Sequence, residues 1–160
     1  MMMNNDKQNS STIESDNVLY LNIEKDTIAS LFETARRQNG SLAAVIFEID
    51  HKPMLYDHVV NDEDYDALVG LINSMMLNVA RKTVAESGVI LRSGLFSYVA
   101  LITDGQEQKI ADDIRLGLTS RPTLFNGNEV DIVLRMGVAC IEDADRDCWA
   151  LINRVNVYGR

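Results

Sequence analysis

The chain is poor in cysteine, proline and positive charge, and each scarcity removes a class of protein. Its two cysteines, Cys140 and Cys148, are too few for a disulfide framework. No third Cys or His lies near them in sequence, so they read as two reduced thiols of a cytosolic domain and not as a metal site. Two prolines with 46% hydrophobic residues exclude a disordered chain. Fifteen Lys and Arg against 24 Asp and Glu give a net charge of −9. That balance argues against nucleic acid and against an anionic membrane surface, both of which need clustered cations. No apolar run approaches the length of a membrane span, and Met1-Met2-Met3-Asn4-Asn5-Asp6 lacks the apolar core of a signal peptide.

At 160 residues, with no internal repeat, the chain fits one domain with a proper core. Residues 1–17 are polar, without apolar periodicity, and are expected to be a disordered tail ahead of a domain over 18–160. Val18 to Ile23 alternates in part, as a short strand or an extended lead-in would. A first helix is expected from Asp26, an N-cap type, to Gln38, with Ile28, Leu31, Phe32 and Ala35 on one face and Asn39-Gly40 as its stop. Leu42 to Asp50 is a nearly continuous apolar run, as in a central buried strand. A polar turn region over 51–61 follows. A longer helix, capped by Asn61 or Asp62, carries a stripe from Tyr65 through Leu68, Ile72, Met75 and Met76 to Ala80 and ends near Gly88. Met75 and Met76 suit an adaptable binding face, or core packing at helical spacing.

The segment from Val89 to Ile102 reads as two apolar strands joined by a tight turn around Ser93-Gly94. Beyond it, a third helix is expected over 106–120, with Ile110, Ile114 and Leu118 inward and Pro122 beyond its end. Asn126-Gly127 marks a hairpin between strands 123–125 and 129–140, and a last helix over 145–158 is expected to bury Trp149, Ile152 and Val155. The order α-β-α-β-β-α-β-α, with a minor extra hairpin, predicts an α+β sandwich: a mainly antiparallel sheet flanked by helices.

The central hairpin, Arg92-Ser93-Gly94-Leu95-Phe96-Ser97-Tyr98, resembles the Arg-x-Gly-Gly-Asp/Glu-Glu-Phe hairpin of the GGDEF family of diguanylate cyclase domains. Ala44 to His51 resembles that family's apolar strand ending Asp-x-Asp-His. Arg135 to Ala139 resembles its Ser-Ile-Gly-Val-Ala strand, and Leu151 to Asn156 the opening of its last helix. The family's closing Ala-Lys and Gly-Arg segment is largely missing, unless a gap brings Gly159-Arg160 to it. The resemblance runs from about Ile28 to Arg160 and implies the nucleotide-cyclase palm fold.

In that family, carboxylates on adjacent strands hold Mg²⁺ for phosphoryl transfer. The resemblance places its first metal acid at Glu48, with Asp50 nearby, and its second at Ser97, with Phe96 replacing the acid beside it. The guanine-reading positions fall at Tyr56 and Tyr65, Lys52-Pro53 interrupts the usual Phe-Lys pair, and the inhibitory product motif falls at Ala85 and Gly88. Gly94, Leu95, Phe96, Ser97 and Tyr98 are thus the candidate interface of a hairpin stripped of its acids. Leu95 and Phe96 either fill the vacated pocket or present an anchor to a partner. Glu48 and Asp50, with Asp57 or Asp62, rebuild a metal site or form a solvated strand end. His51 and His58 are ligands lacking a third partner or surface histidines.

What the resemblance implies is a non-catalytic regulatory or interaction module of bacterial cyclic-di-GMP signalling. It is expected to use no cofactor or metal and not to bind cyclic-di-GMP itself. It would act in the cytoplasm, beside an adjoining signalling domain or protein partner or as a homodimer. One alternative is a sensor whose cleft still binds GTP or another nucleotide without turnover, supported by Glu48 and Asp50, with Tyr56 and Tyr65 either stacking a base or packing as core aromatics. The other is an enzyme with altered metal ligands.

Overall fold

Along the chain the elements are β1 (Val18–Tyr20), α1 (Lys25–Arg37), β2 (Ala43–Ile49), α2 (His51–His58) and α3 (Asp62–Val84). A 3₁₀ turn, Ala85–Ser87, leads to β3 (Gly88–Gly94), β4 (Ser97–Ile102) and α4 (Glu107–Thr119). Then come β5 (Thr123–Phe125), β6 (Asn128–Val130), β7 (Leu134–Cys140) and α5 (Cys148–Arg154). The computed structural model describes residues 18–20, as backbone, and 25–157. The tail expected over 1–17 and the final residue of the expected last helix, Tyr158, lie outside the described residues.

Five strands form one sheet in the order β1-β3-β4-β2-β7. β1 runs parallel to β3, and all other pairings are antiparallel. β2 lies between β4 and β7 and has helices over both faces, which is why its sequence reads as an unbroken apolar run. Val45, Phe47 and Ile49 face one core with α3 and α4, while Ala44 and Ile46 face the other with α1 and α5. The period-two alternation is therefore between two buried faces, not between core and water. The mixed α+β sandwich is as expected from the sequence.

Local chemistry explains most boundaries. Asn61 caps α3 by accepting from the Asp64 amide at 2.9 Å, and Asp62, Glu63 and Asp64 then lie near the positive end of its dipole. Leu68, Ile72, Met76, Ala80 and Val84 form its buried stripe. Met76 is fully buried, and Met75, half-buried, receives the Thr123 hydroxyl, so the methionine pair belongs to the core. α1 starts one residue before Asp26, which stands in its first turn, and Asn39 at φ +52° terminates it.

Four expectations are corrected. The segment 51–61 is not all turn, because His51–His58 is a helix: Asp50 caps it and Pro53, in its first turn, has no helical amide to lose. The central turn is Leu95-Phe96, with Gly94 already paired to Ser97 and an irregularity between Arg92 and Gly94. Gly94 does not take positive φ. The run 129–140 is two strands: β6 pairs only with β5, and the chain breaks at 131–133 before β7 joins the main sheet. Asn126 (φ +52°) and Gly127 (φ +81°) do make the β5–β6 turn, as that dipeptide predicts. The last helix is shorter than expected, capped by Asp147, and it buries Cys148, Leu151 and Ile152 while Trp149 and Val155 are only half-buried.

Candidate functional site

The hairpin of β3 and β4 closes against the end of β2. Phe96 is 2% exposed, and its ring lies 5.8 Å from that of His51, tilted by 55°. Its carbonyl accepts from the Ile49 amide at 2.9 Å, which fixes the turn to the strand beside it. Leu95 is half-buried against the same core. The Arg92 guanidinium donates to the carbonyls of Gly94 (3.3 Å) and Leu95 (3.2 Å) and stands 5.9 Å over the Tyr98 ring. Tyr98 is buried, stacks on Phe47 at 5.6 Å, and donates its hydroxyl to Asn73 at 3.1 Å. Of the two roles open to Leu95-Phe96, Phe96 takes the filling one. The tip turns Phe96 inward, so Phe96 is no anchor for a partner, and Tyr98 is equally inaccessible.

Strand register places Glu48 opposite Ser97 on β4 and opposite Arg135 on β7. The Ser97 hydroxyl lies 3.4 Å from Glu48 Oε1 and 2.8 Å from the Ser93 hydroxyl. Arg135 pairs instead with Asp50 at 3.1 Å. Asp50 also accepts from the Lys52 amide, so its carboxylate is occupied as a helix cap and an ion-pair partner. Among the described residues, no three His, Cys, Asp or Glu side chains come together as metal ligands. Mg²⁺ takes about six oxygens in tight octahedral geometry. A single carboxylate beside a serine hydroxyl, with Phe96 turned into the core on the other face of the sheet, does not fit that ion.

The other positions singled out by the sequence are scattered. Tyr56 is 85% exposed on α2, and Tyr65 is exposed on the second turn of α3. His51 and His58 are half-buried and face aromatic rings, His58 standing 6.5 Å from Phe125 edge to face. Ala85 ends α3 at φ +45°. A Cβ on Gly88 would lie 1.8 Å from the Leu101 carbonyl oxygen, so no acid can occupy that position on this backbone.

The most heavily bonded carboxylate was not singled out by the sequence. Asp145 is 5% exposed and accepts from Arg154 at 3.0 and 2.6 Å and from the Glu142 amide at 2.9 Å. Arg154 also reaches the Cys140 carbonyl at 2.7 Å and Glu142 at 3.2 Å. Arg36, on α1, donates to the backbone carbonyls of Glu142, Asp143 and Asp145. Hydrogen bonds from Arg154 hold the Asp145 carboxyl below its ordinary pKa, although burial pushes the other way. Burial, helped by Asp147 and Asp145, pushes the Cys148 thiol up to about 12. The local signals here were Asp145-x-Asp147 ahead of a helix and Arg154 nine residues on; Arg36, which holds the loop's carbonyls, lies 109 residues from Asp145.

No family model matches the sequence, and no curated protein matches it. The fold, however, is that of GGDEF domains. The chain is similar to the active GGEEF domain of a diguanylate cyclase from Vibrio cholerae, with 16% identity over 86% of this chain and 85% of that one and a TM-score of 0.69. It is similar to the GGDEF domain of FimX from Pseudomonas aeruginosa, with 17% identity over 81% and 78% and a TM-score of 0.65. A third neighbour is the coiled coil and GGDEF domain of DgcB from Caulobacter crescentus in complex with c-di-GMP, with 15% identity over 96% and 84% and a TM-score of 0.67. No helix among the described residues is long and apolar enough to cross a membrane.

Proposed function

We propose that this is a non-catalytic GGDEF-type domain serving as a regulatory or protein-interaction module in cyclic-di-GMP-related signalling. The observation that carries the reading is the pairing of Glu48 with Ser97, with Phe96 turned away into the core. The register sets Glu48 and Ser97 side by side on adjacent strands, where a palm cyclase needs two acids. One of the two is a hydroxyl, and the neighbouring side chain is part of the hydrophobic core. Phosphoryl transfer depends on convergent, rigid oxygen ligands, and this corner offers one carboxylate. The tyrosines at 56 and 65 lack the amide or carboxylate edge that would pair with guanine. A domain that keeps the scaffold without the ligands retains its surfaces as its means of action, in the cytoplasm and through a partner or adjoining domain.

The test is turnover of GTP by the full chain with Mg²⁺ or Mn²⁺, alongside thermal shift with GTP, ATP and cyclic-di-GMP. The expected result is neither product nor stabilisation. Product formation that disappears in Glu48→Ala would overturn the reading. Stabilisation by GTP without turnover would favour the sensor instead, because a ligand of the native state raises stability by mass action.

A further inference from the structure

The largest exposed apolar side chains of one corner lie where α2 turns into α3. Tyr56 is 85% exposed and Val60 88% exposed, and Tyr65 follows within ten residues of Tyr56. α2 is held to the body by Met54, by His51 over Phe96 and by His58 against Phe125, which leaves its other side to solvent. On that side a cavity of about 350 Å³ opens between His51, Lys52, Leu55 and Tyr56. The bend is fixed: the Val60 amide donates to Asp64 at 3.2 Å and the Tyr65 amide to the Asn61 carbonyl at 3.1 Å. An apolar surface on an ordered frame is what a docking partner needs, since little freedom is lost on binding.

Charge identifies the partner. Between Lys52 and Arg81 the chain has five carboxylates and no Lys or Arg, against nineteen and fifteen over the rest. The five are Asp57, Asp62, Glu63, Asp64 and Asp66, all within ten residues of the same bend. None of them is in an ion pair among the described residues. A second copy of the chain would bring the same carboxylates against these in a two-fold contact, so self-association is disfavoured.

We propose that the α2–α3 corner docks a basic protein segment that places one bulky apolar side chain in the cavity beside Tyr56. The carboxylates around the bend steer and orient it, and Tyr56 and Val60 supply the contact area. This rests on the reading of the domain as an interaction module and names the chemistry of what it binds.

The test is an NMR titration of the ¹⁵N-labelled full chain with three synthetic peptides. One alternates Lys with Leu and Trp, the second replaces its Lys by Glu, and the third replaces its apolar residues by Ser. The inference expects shifts at the amides of Tyr56, Val60 and Tyr65 with the first peptide alone, reversed by about 0.5 M salt. Tyr56→Ser and Val60→Ser, both at exposed positions, should weaken binding about tenfold or more. Equal response to the Glu peptide, shifts spread over the whole surface, or no response would overturn it. So would concentration-dependent shifts of the same amides without peptide, which would make the occupant a second copy. Adding GTP and Mg²⁺ keeps the two claims apart: shifts at the Glu48 and Ser97 amides would overturn the interaction-module reading in favour of the nucleotide sensor, whatever the peptides do.

Discussion

Two carboxylates at opposite ends of the β2–β7 ladder have opposite surroundings. Glu48 stands on the central strand, at the position the resemblance associates with catalysis, and accepts from a serine hydroxyl at 3.4 Å. Asp145 lies in the loop between β7 and α5 and is bound by two donors of Arg154 and a backbone amide. A carboxylate so fully satisfied is architectural: it ties α5 to the loop, while Arg36 ties the same loop to α1. Glu48 is neither gathered with other ligands nor locked in a network. In this domain, strong electrostatics hold the fold together, and the corner that would carry chemistry is held by apolar packing.

That contrast can be broken or sharpened by substitution. The largest effect is expected from Phe96→Ala, which leaves a cavity under the hairpin and should cost about 3–5 kcal/mol in chemical denaturation. A loss below about 1 kcal/mol would mean that the corner does not depend on that ring. Next is Asp145→Asn, which removes the charge facing Arg154 and should cost about 2–3 kcal/mol. Because the folded-state pKa of Asp145 is lowered, its stabilisation is whole above the ordinary carboxylate value and drains away as pH falls through the lowered one. Stability measured against pH should therefore show a shallower acid limb in Asp145→Asn than in wild type. Tyr98→Phe should cost about 1 kcal/mol, through the lost bond to Asn73. Smallest is Glu48→Gln, expected within about 0.5 kcal/mol of wild type. A cost above that of Tyr98→Phe would make Glu48 structural and erase the contrast.

The elements that the sequence revealed are those whose cause is local. α3 shows its cap at Asn61 and its buried stripe every three or four residues, and the β5–β6 turn shows Asn126-Gly127. α2 stayed hidden because only one of its residues, Met54, is fully buried. Its docking comes from His51 and His58 meeting Phe96 and Phe125, rings far away in sequence. A local sign existed all the same: Asp50 ahead of Pro53 is a cap followed by a proline in the first turn. The break before β7 fell inside an apolar run, where periodicity says nothing about which sheet a strand joins. At the candidate site, the Glu48–Ser97 juxtaposition was legible through the resemblance. The inward turn of Phe96 was not, because two residues of the same character sit at the tip and only tertiary packing decides which goes in. Asp145 was missed although its carboxylate's partner Arg154 lies only nine positions on; what was not legible is that the loop's carbonyls are held by an arginine 109 positions earlier.

The placement of β2 has one more consequence. Its odd and even side chains belong to different helical layers, yet both sets hang on one backbone that is hydrogen-bonded to β4 and β7. Neither layer can melt while the other stays intact, since stripping either one exposes the same strand. The two halves are therefore expected to open as a single cooperative unit, with the amide protons of Val45 to Phe47 exchanging at the rate of global unfolding, which native-state hydrogen exchange would measure.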